Sequence, residues 1–474
     1  MSDPRGQHLP PVWKLLEHPR IAPHKAIVGH AATVDAIRRR LEHERNASRD
    51  GTAAPFDTDQ LAQRIALDLA ADRPALVPVI NATGVLLHTG LGRAPLSSRA
   101  IEHVVSVLDG YCSLEIDLAT GERGRRHAAV AHLLRQITGA EAAIVVNNNA
   151  AATLLALRVV GRGREIIVSR GQLIEIGGEF RLPEIFEVSG ALLREVGTTN
   201  KTRIEDYARA IGPTTAAFLR VHPSNFRIDG FAESVAIEPL CTLAREHGLV
   251  CIDDIGSGAL RPDHAASFPG EPTIHESLAA GSDLILCSGD KLLGGPQCGI
   301  ILGRREWVER IAKDPMMRAM RLDKLVLAAL EGTLREIRSA STTRLWQLIA
   351  TPADQLRDRA RSIAARFAAT PAWSVSAQPT QAFLGGGSCP QTSLDSWAIK
   401  FTPGSSDESM PINEIARCLR LGNPAVMPRV QENALWIDLR CVLPEQDDSL
   451  ITALEIALSR CDHDPSSAPG DSSS

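Results

Sequence analysis

Three stretches of this 474-residue chain place reactive side chains where an apolar strand gives way to a turn. In SGDKLLGGPQCG (288–299), Lys291 follows the apolar run DLILCSG and precedes paired glycines. Apolar and backbone neighbours penalise an ammonium ion, which lowers the amine pKa and favours a nucleophilic or Schiff-base role. Only seven of the 51 Lys and Arg residues are lysine, so arginine carries nearly all generic surface charge. A lysine in such a setting is there for its amine chemistry. Ser288, three residues earlier, is placed to donate its hydroxyl to a phosphate at the same strand end. The alternative for Lys291 is a surface lysine in a turn.

The stretch LVCIDDIGSG (249–258) ends an apolar run in two carboxylates. In open α/β sheets, ligands bind at the carboxyl ends of the strands. A carboxylate there can pair with a protonated pyridine nitrogen, the partner that makes pyridoxal phosphate an electron sink. Successive strand residues point to opposite faces, so only one of Asp253 and Asp254 serves, and the role is assigned to Asp253. A metal-binding or N-capping acid is the competing reading. In VVNNNAAATLLAL (145–157) a strand, a polar turn and a helix follow one another, with Asn148, Asn149 and Ala150 at the junction. The free amides of a helix N-terminus form an anion site, suited to a cofactor phosphate. Simple Asn capping is the bland alternative.

These groups need elements to hold them. Short apolar runs at 142–148, 164–170, 190–196, 214–222, 249–256, 282–289 and 298–303 alternate with helical stretches. That pattern predicts an α/β domain with a mostly parallel seven-stranded sheet covered on both faces. The last run follows too closely for a crossover helix and is expected to be antiparallel. Residues 1–70 carry helical spacing in PVWKLLEH, AATVDAIRRRLEHER and Asp59–Leu69. The expected organisation is a helical domain at 1–70 and a cofactor-binding large domain at 71–345. A small α+β domain at 346–462 and a disordered Ser-rich tail at 463–474 complete it.

Composition bounds the function. With 44% hydrophobic and 23% charged residues, a disordered or fibrous chain is excluded. No apolar run reaches the ~18 residues a membrane helix needs, and the N-terminus lacks an apolar signal core. Nine scattered cysteines without a CxxC pair read as thiols in a reducing compartment, the cytoplasm. The net charge of −5 gives no global sign of nucleic-acid binding, but residues 1–50 carry a balance of +3, including Arg38, Arg39 and Arg40.

An anion-binding first turn, a strand-end Asp and a Lys 38 residues later match the large domain of the aspartate-aminotransferase-type (fold type I) pyridoxal phosphate enzymes. In such enzymes a strand-end Asn often contacts the phenolic oxygen of the cofactor, a role that falls to Asn225 in VHPSNFRIDGF (221–231). Over nearly its whole length the chain resembles the bacterial selenocysteine synthases, the L-seryl-tRNA(Sec) selenium transferases. The resemblance rests on LPPVWKLLEHP, NATGVLLHTGLGRAPLS, LEIDLATGERGRR, RGQLIEIGGEFRLPEI, EVGTTNKT, CIDDIGSGAL, SGDKLLGGPQCGII, MMRAMRLDKLVLAALEGTL and LGGGSCP.

The resemblance implies a pyridoxal phosphate carried on Lys291, with Lys291 also the base for the α-proton of serine. It implies that Arg93, Arg318 and Arg321 hold the phosphate of selenophosphate. Arg318 and Arg321 are three apart, so on a helix they would share one face and grip an anion together. The implied reaction converts seryl-tRNA(Sec) to selenocysteinyl-tRNA(Sec), by elimination of the serine hydroxyl and selenium addition to the dehydroalanyl-tRNA. A homo-oligomer, a decamer built of dimers, and tRNA reading by residues 1–70 are implied too. His88 is expected to be a core histidine. The runner-up is an ammonia lyase of the same fold acting on a small sugar acid or amino acid, which has no need of the N-terminal helices. A third reading, a tRNA-binding protein with an inactive fold, is opposed by Lys291, Asp253 and the arginines.

Overall fold

The computed structural model describes residues 9–49, 57–71, 75–176, 180–226, 228, 230–260, 268–370, 373–387, 389, 392–404 and 412–461. The expected tail at 463–474 lies outside them. The chain divides into two compact units. One comprises Met1–Ile80, Arg417–Val426 and Ser449–Ser474, the other Asn81–Ala416 and Met427–Asp448.

In the first unit, helices α1 (Val12–Leu16), α2 (Ala22–Val28), α3 (His30–Arg49) and α4 (Thr58–Ala71) follow the apolar spacing of the sequence. Ile37 and Leu41 on α3 meet Leu61, Ile65 and Leu69 on α4, repeats of four that build one buried stripe. Two ion pairs tie the same helices. Arg40 donates to both oxygens of Asp68 at 2.8 Å, and Arg64 to Glu44 at 3.1 Å. Arg40 is thereby neutralised, while Arg38 and Arg39 stay exposed.

The second unit is built on a seven-stranded sheet. Its strands are β1 (Ala142–Val146), β2 (Glu165–Ser169), β3 (Leu192–Val196), β4 (Thr215–Val221), β5 (Val250–Gly256), β6 (Leu284–Ser288) and β7 (Gly299–Gly303), in spatial order β1-β7-β6-β5-β4-β2-β3. The six runs separated by helices form parallel strands. As expected, β7 runs against both neighbours, with Ile300 opposite Val145 and Cys287. Alternation distributes the core over both faces. Ile166, Val168, Leu219 and Ile252 point one way, under helix α5 (Asn149–Gly161), and Ile167, Phe218 and Cys251 the other, under helix α6 (Ile237–Glu246). Burial on both faces is why these strands read as continuous apolar runs.

Farther along the same unit, helix α7 (Ile274–Ala280) precedes β6. The four-residue helix α8 (Met316–Ala319) precedes the long helix α9 (Lys324–Arg338). A second, antiparallel sheet holds β8 (Trp373–Phe383), β9 (Ser393–Pro403), β10 (Ala425–Gln431) and β11 (Ala434–Asp438). Here β9 pairs with both β8 and β11, and β11 with β10. Helix α10 (Ala353–Arg366) lies against β8 and β9.

Candidate active site

Lys291 sits in the turn between β6 and β7, only 3% exposed. The turn is knitted by backbone hydrogen bonds, within itself and to the residue that follows β5. Leu292 N–H donates to Ser257 O at 2.8 Å, Gly294 N–H to Lys291 O at 2.8 Å, and Gly295 N–H to Gly289 O at 2.9 Å. The Gly385–Gly387 segment closes over the amine. A Cβ at Gly387, whose φ is +93°, would lie 2.7 Å from Lys291 Nζ, so only glycine lets the backbone pass this near. Burial, then the Arg93 guanidinium, hold the amine below its ordinary pKa of 10.5, against the opposing pull of Asp254, Asp290 and Glu271.

The amine faces a cavity of about 230 Å³ whose walls include Arg93, Asn148, Asn149, Ala150, Ser224, Asp254, Ser288 and Asp290. Of the two strand-end acids, Asp254 is the one in this cavity. Its carboxylate accepts from Asn149 Nδ2 at 2.9 Å, Thr153 Oγ1 at 3.0 Å and the Gly256 N–H at 3.1 Å. Burial raises its pKa, and the Asn149 and Thr153 hydrogen bonds oppose the rise. Asp253, the residue expected here, turns to the opposite face. It is fully buried, bound bidentately by Arg220 at 2.7 and 2.8 Å and by Ser277 Oγ at 2.6 Å. Alternation along β5 does open one carboxylate to the cavity, but the face under α5 selects Asp254.

The helix start is capped by asparagine and also faces the cavity. Asn148 caps α5, its side chain accepting from Ala151 N–H at 2.8 Å, and it still lines the cavity. Asn149 is shared between Asp254 and the cavity. Where β7 passes this helix start, any side chain at Gly299 would run into the Asn148 carbonyl. Ser288 lines the cavity at the end of β6. Arg93 also lines it, in a left-handed backbone conformation with φ +60°, and pairs with Asp290 at 2.9 Å.

Three other expected groups lie outside this cavity. Asn225 is exposed and donates to Glu175 O at 2.6 Å; its neighbour Ser224, 2% exposed, takes the place by the amine. Arg318 and Arg321 do not share a helical face, because α8 ends at Ala319. Arg318 is exposed on α8, and Arg321 Nη1 lies 4.0 Å from Glu115, a carboxylate already bound by Arg123 and Arg126 at 2.7 Å. Their segment is nonetheless anchored beside the helix start, since Asn147 N–H donates to Met320 O at 3.0 Å. His88 does not line the cavity. Sequence reasoning missed Ser224, Asp290 and the His222–Glu271 pair (3.3 Å) at the cavity's edge. Adjacency to Lys291 signals Asp290, and adjacency to the end of β4 signals Ser224 and His222; Glu271 carries no such signal.

A buried amine of lowered basicity, a carboxylate opposite it and a helix N-terminus form a donor set that pyridoxal phosphate fits: carbonyl carbon, ring nitrogen and phosphate respectively. Asn149 Oδ1 and Asp290 Oδ1 are buried without a hydrogen-bond partner among the described residues, as expected of walls shaped for a polar ligand.

A family model described as L-seryl-tRNA selenium transferase matches residues 79–443. A Moorella thermoacetica L-seryl-tRNA(Sec) selenium transferase is 44% identical over 465 residues, covering 96% of this chain and 98% of the relative. The protein of that name from Hyphomonas neptunium is 40% identical over 462 residues, covering 95% and 99%. Among solved structures, a D-glucosaminate-6-phosphate ammonia-lyase aligns with a TM-score of 0.57 at 19% identity, covering 82% of this chain and 97% of that one. At that identity the likeness is one of fold.

Proposed function

The chain belongs to the L-seryl-tRNA selenium transferase family, and from that premise we propose that it converts seryl-tRNA(Sec) to selenocysteinyl-tRNA(Sec) with pyridoxal phosphate at Lys291 and selenophosphate as selenium donor. The observation that carries this reading is identity to the transferases along almost the whole chain. The ammonia-lyase alternative has only a likeness of fold.

Pyridoxal phosphate, when bound, supplies an electron sink for a negative charge developing at the α-carbon of serine. The chain's residues do the rest. The amides that open α5, with Ser288, hold the phosphate. Asp254, buried and already oriented by Asn149 and Thr153, holds a proton on the ring nitrogen; a cation placed against it restores the ionised form that burial disfavours. Lys291, its basicity lowered by burial, is neutral over a wider pH range than a surface lysine and removes the α-proton. Returned by Lys291 to the β-hydroxyl, that proton lets it leave as water and opens the β-carbon to selenium, while water cleaves the selenium–phosphorus bond of the donor and releases phosphate. Arg93 at the cavity wall, and Arg318 and Arg321 beside the helix start, bind the phosphate of the donor by charge-assisted hydrogen bonds.

Residues 1–70 read the tRNA. Arg38 and Arg39, unlike Arg40, are exposed and suit RNA phosphates. Several copies assemble, as a decamer built of dimers, and exposed apolar side chains such as Ile101, Val105 and Leu118 provide surface for a second copy to cover. No helix of the described residues is long and apolar enough to cross a membrane, and none of the eight cysteines from Cys112 to Cys441 is in a disulfide; the cytoplasm is the compartment proposed. The test is a conversion assay with purified protein, pyridoxal phosphate, selenophosphate and seryl-tRNA(Sec). Selenocysteinyl-tRNA(Sec) is the expected product; release of ammonia from a small amino acid, without action on the tRNA, refutes the reading.

A further inference from the structure

A second cavity, of about 490 Å³, adjoins the Lys291 cavity, and Val221 and His222 line both. It opens at the carboxyl ends of β2, β3 and β4, the sheet edge where an open α/β sheet takes its ligands. The charges in its described wall are already matched. Arg220 is held by Asp253, Glu233 by Arg203 at 3.3 Å, and Glu271 by His222 at 3.3 Å. An anion finds no unpaired cation among the described wall residues. What remains is the half-buried ring of Phe226, with the hydroxyls of Thr199, Ser234 and Thr392. A flat, neutral ligand rich in hydrogen-bonding edges suits such a wall. At this volume the cavity is large enough for a small organic ligand of drug-like size.

We propose that this second cavity seats the terminal adenosine of the acyl-tRNA, base against Phe226 and ribose towards His222 and Glu271. The inference rests on the function proposed above and adds a subsite to it. In any aminoacyl-tRNA the amino acid is esterified to a ribose hydroxyl of the terminal adenosine. One carbonyl carbon separates that oxygen from the α-carbon. Serine at Lys291 therefore forces the nucleoside into space directly adjoining the Lys291 cavity, and the cavity that meets it at Val221 and His222 is such a space. The ionised Glu271 carboxylate, its pKa kept low by His222, Ser257 and Cys389 against the pull of burial, faces that junction as an acceptor for the free ribose hydroxyl. Stacking of a base on an aromatic ring such as Phe226 is a general source of affinity for unpaired nucleotides.

The test uses the full-length holoenzyme and deacylated tRNA(Sec) with 2-aminopurine in place of the terminal adenine, with total tRNA binding followed separately by filter retention. Stacking should quench the terminal fluorophore several-fold on binding, whereas the same fluorophore in the anticodon loop stays bright. Phe226→Leu, and Ser234→Leu, which fills the cavity from an exposed position, should each abolish the quenching. Each should also raise KM for seryl-tRNA(Sec) about tenfold and weaken filter-bound affinity by no more than that factor. A tRNA that binds with its terminal fluorophore as bright as in solution, or quenching untouched by both variants, overturns the subsite while leaving the function standing. A wild-type protein that retains no tRNA(Sec) on the filter overturns the function, and the subsite with it.

Discussion

The Lys291 cavity and the arginine surface around Glu115 both gather charge, yet the chain holds them in opposite ways. In the cavity, Lys291 and Asp254 are 3% and 7% exposed and fixed by strand ends, a helix cap and a tight backbone turn. Around Glu115, Arg123 is 77% exposed on its side chain and Arg321 is exposed in the turn after α8, while Arg318 is exposed on that short helix itself. Burial in the first shifts protonation, lowering the amine and raising the carboxyl. In the second, hydrogen bonds from Arg126 and Arg123 lower the Glu115 carboxyl, and the surplus guanidinium charge stays solvated and screened. Proton chemistry needs a site whose protonation is set before the substrate arrives. Capture of a phosphate needs only surplus positive charge that a ligand can organise.

Substitutions can break or sharpen this contrast. Lys291→Ala should have the largest effect, loss of both turnover and the borohydride-sensitive absorbance near the visible edge. Asp254→Ala should reduce turnover about 10²- to 10⁴-fold, the span typical of groups that manage a proton in the transition state, and weaken the cofactor absorbance. Asp253→Asn separates the two acids. It leaves Arg220 without its buried partner and should lower stability by about 3 kcal/mol in denaturant titrations, yet leave the cofactor absorbance in place. Arg318→Ala and Arg321→Ala should each cut product formation about ten- to a hundredfold, the loss of one charge-assisted phosphate contact, with melting temperature and cofactor absorbance unmoved.

The smallest effect concerns pH. Because the folded pKa of Lys291 lies below 10.5, the unfolded chain binds a proton that the folded chain does not across the interval between the two values. Cofactor-free wild type should therefore gain stability, relative to Lys291→Met, as pH rises through that interval, and the difference should be flat below it. A difference that falls with rising pH would show the amine to be stabilised as a cation.

The scaffold of the cavity was legible because burial on both faces writes strands as uninterrupted apolar runs, and the ten residues from Gly289 to Cys298 are too few for a crossover helix. Lys291, Ser288 and the Asn148–Asn149 start of α5 follow from those boundaries. The choice between Asp253 and Asp254 does not, since alternation separates the two side chains without saying which face α5 covers. Asn225 lies beyond the end of β4, where alternation no longer holds, and the turn puts Ser224 inside instead. The Arg318–Arg321 spacing misled because Asp323, accepting from Val326 N–H at 3.0 Å, starts α9 and leaves room for only four helical residues before it. Strand β8 escaped notice because in WSVSAQPTQAF the apolar–polar alternation of its first six residues is broken by Pro379, which is tolerated there at the sheet's edge.

The most direct test of the central claim is borohydride reduction of the holoenzyme, followed by peptide mapping of the pyridoxyl label, on enzyme shown to convert seryl-tRNA(Sec). The label should sit on Lys291 alone, with conversion abolished in step with its incorporation. A label on any of the other six lysines, or full conversion by enzyme labelled at Lys291, would contradict it.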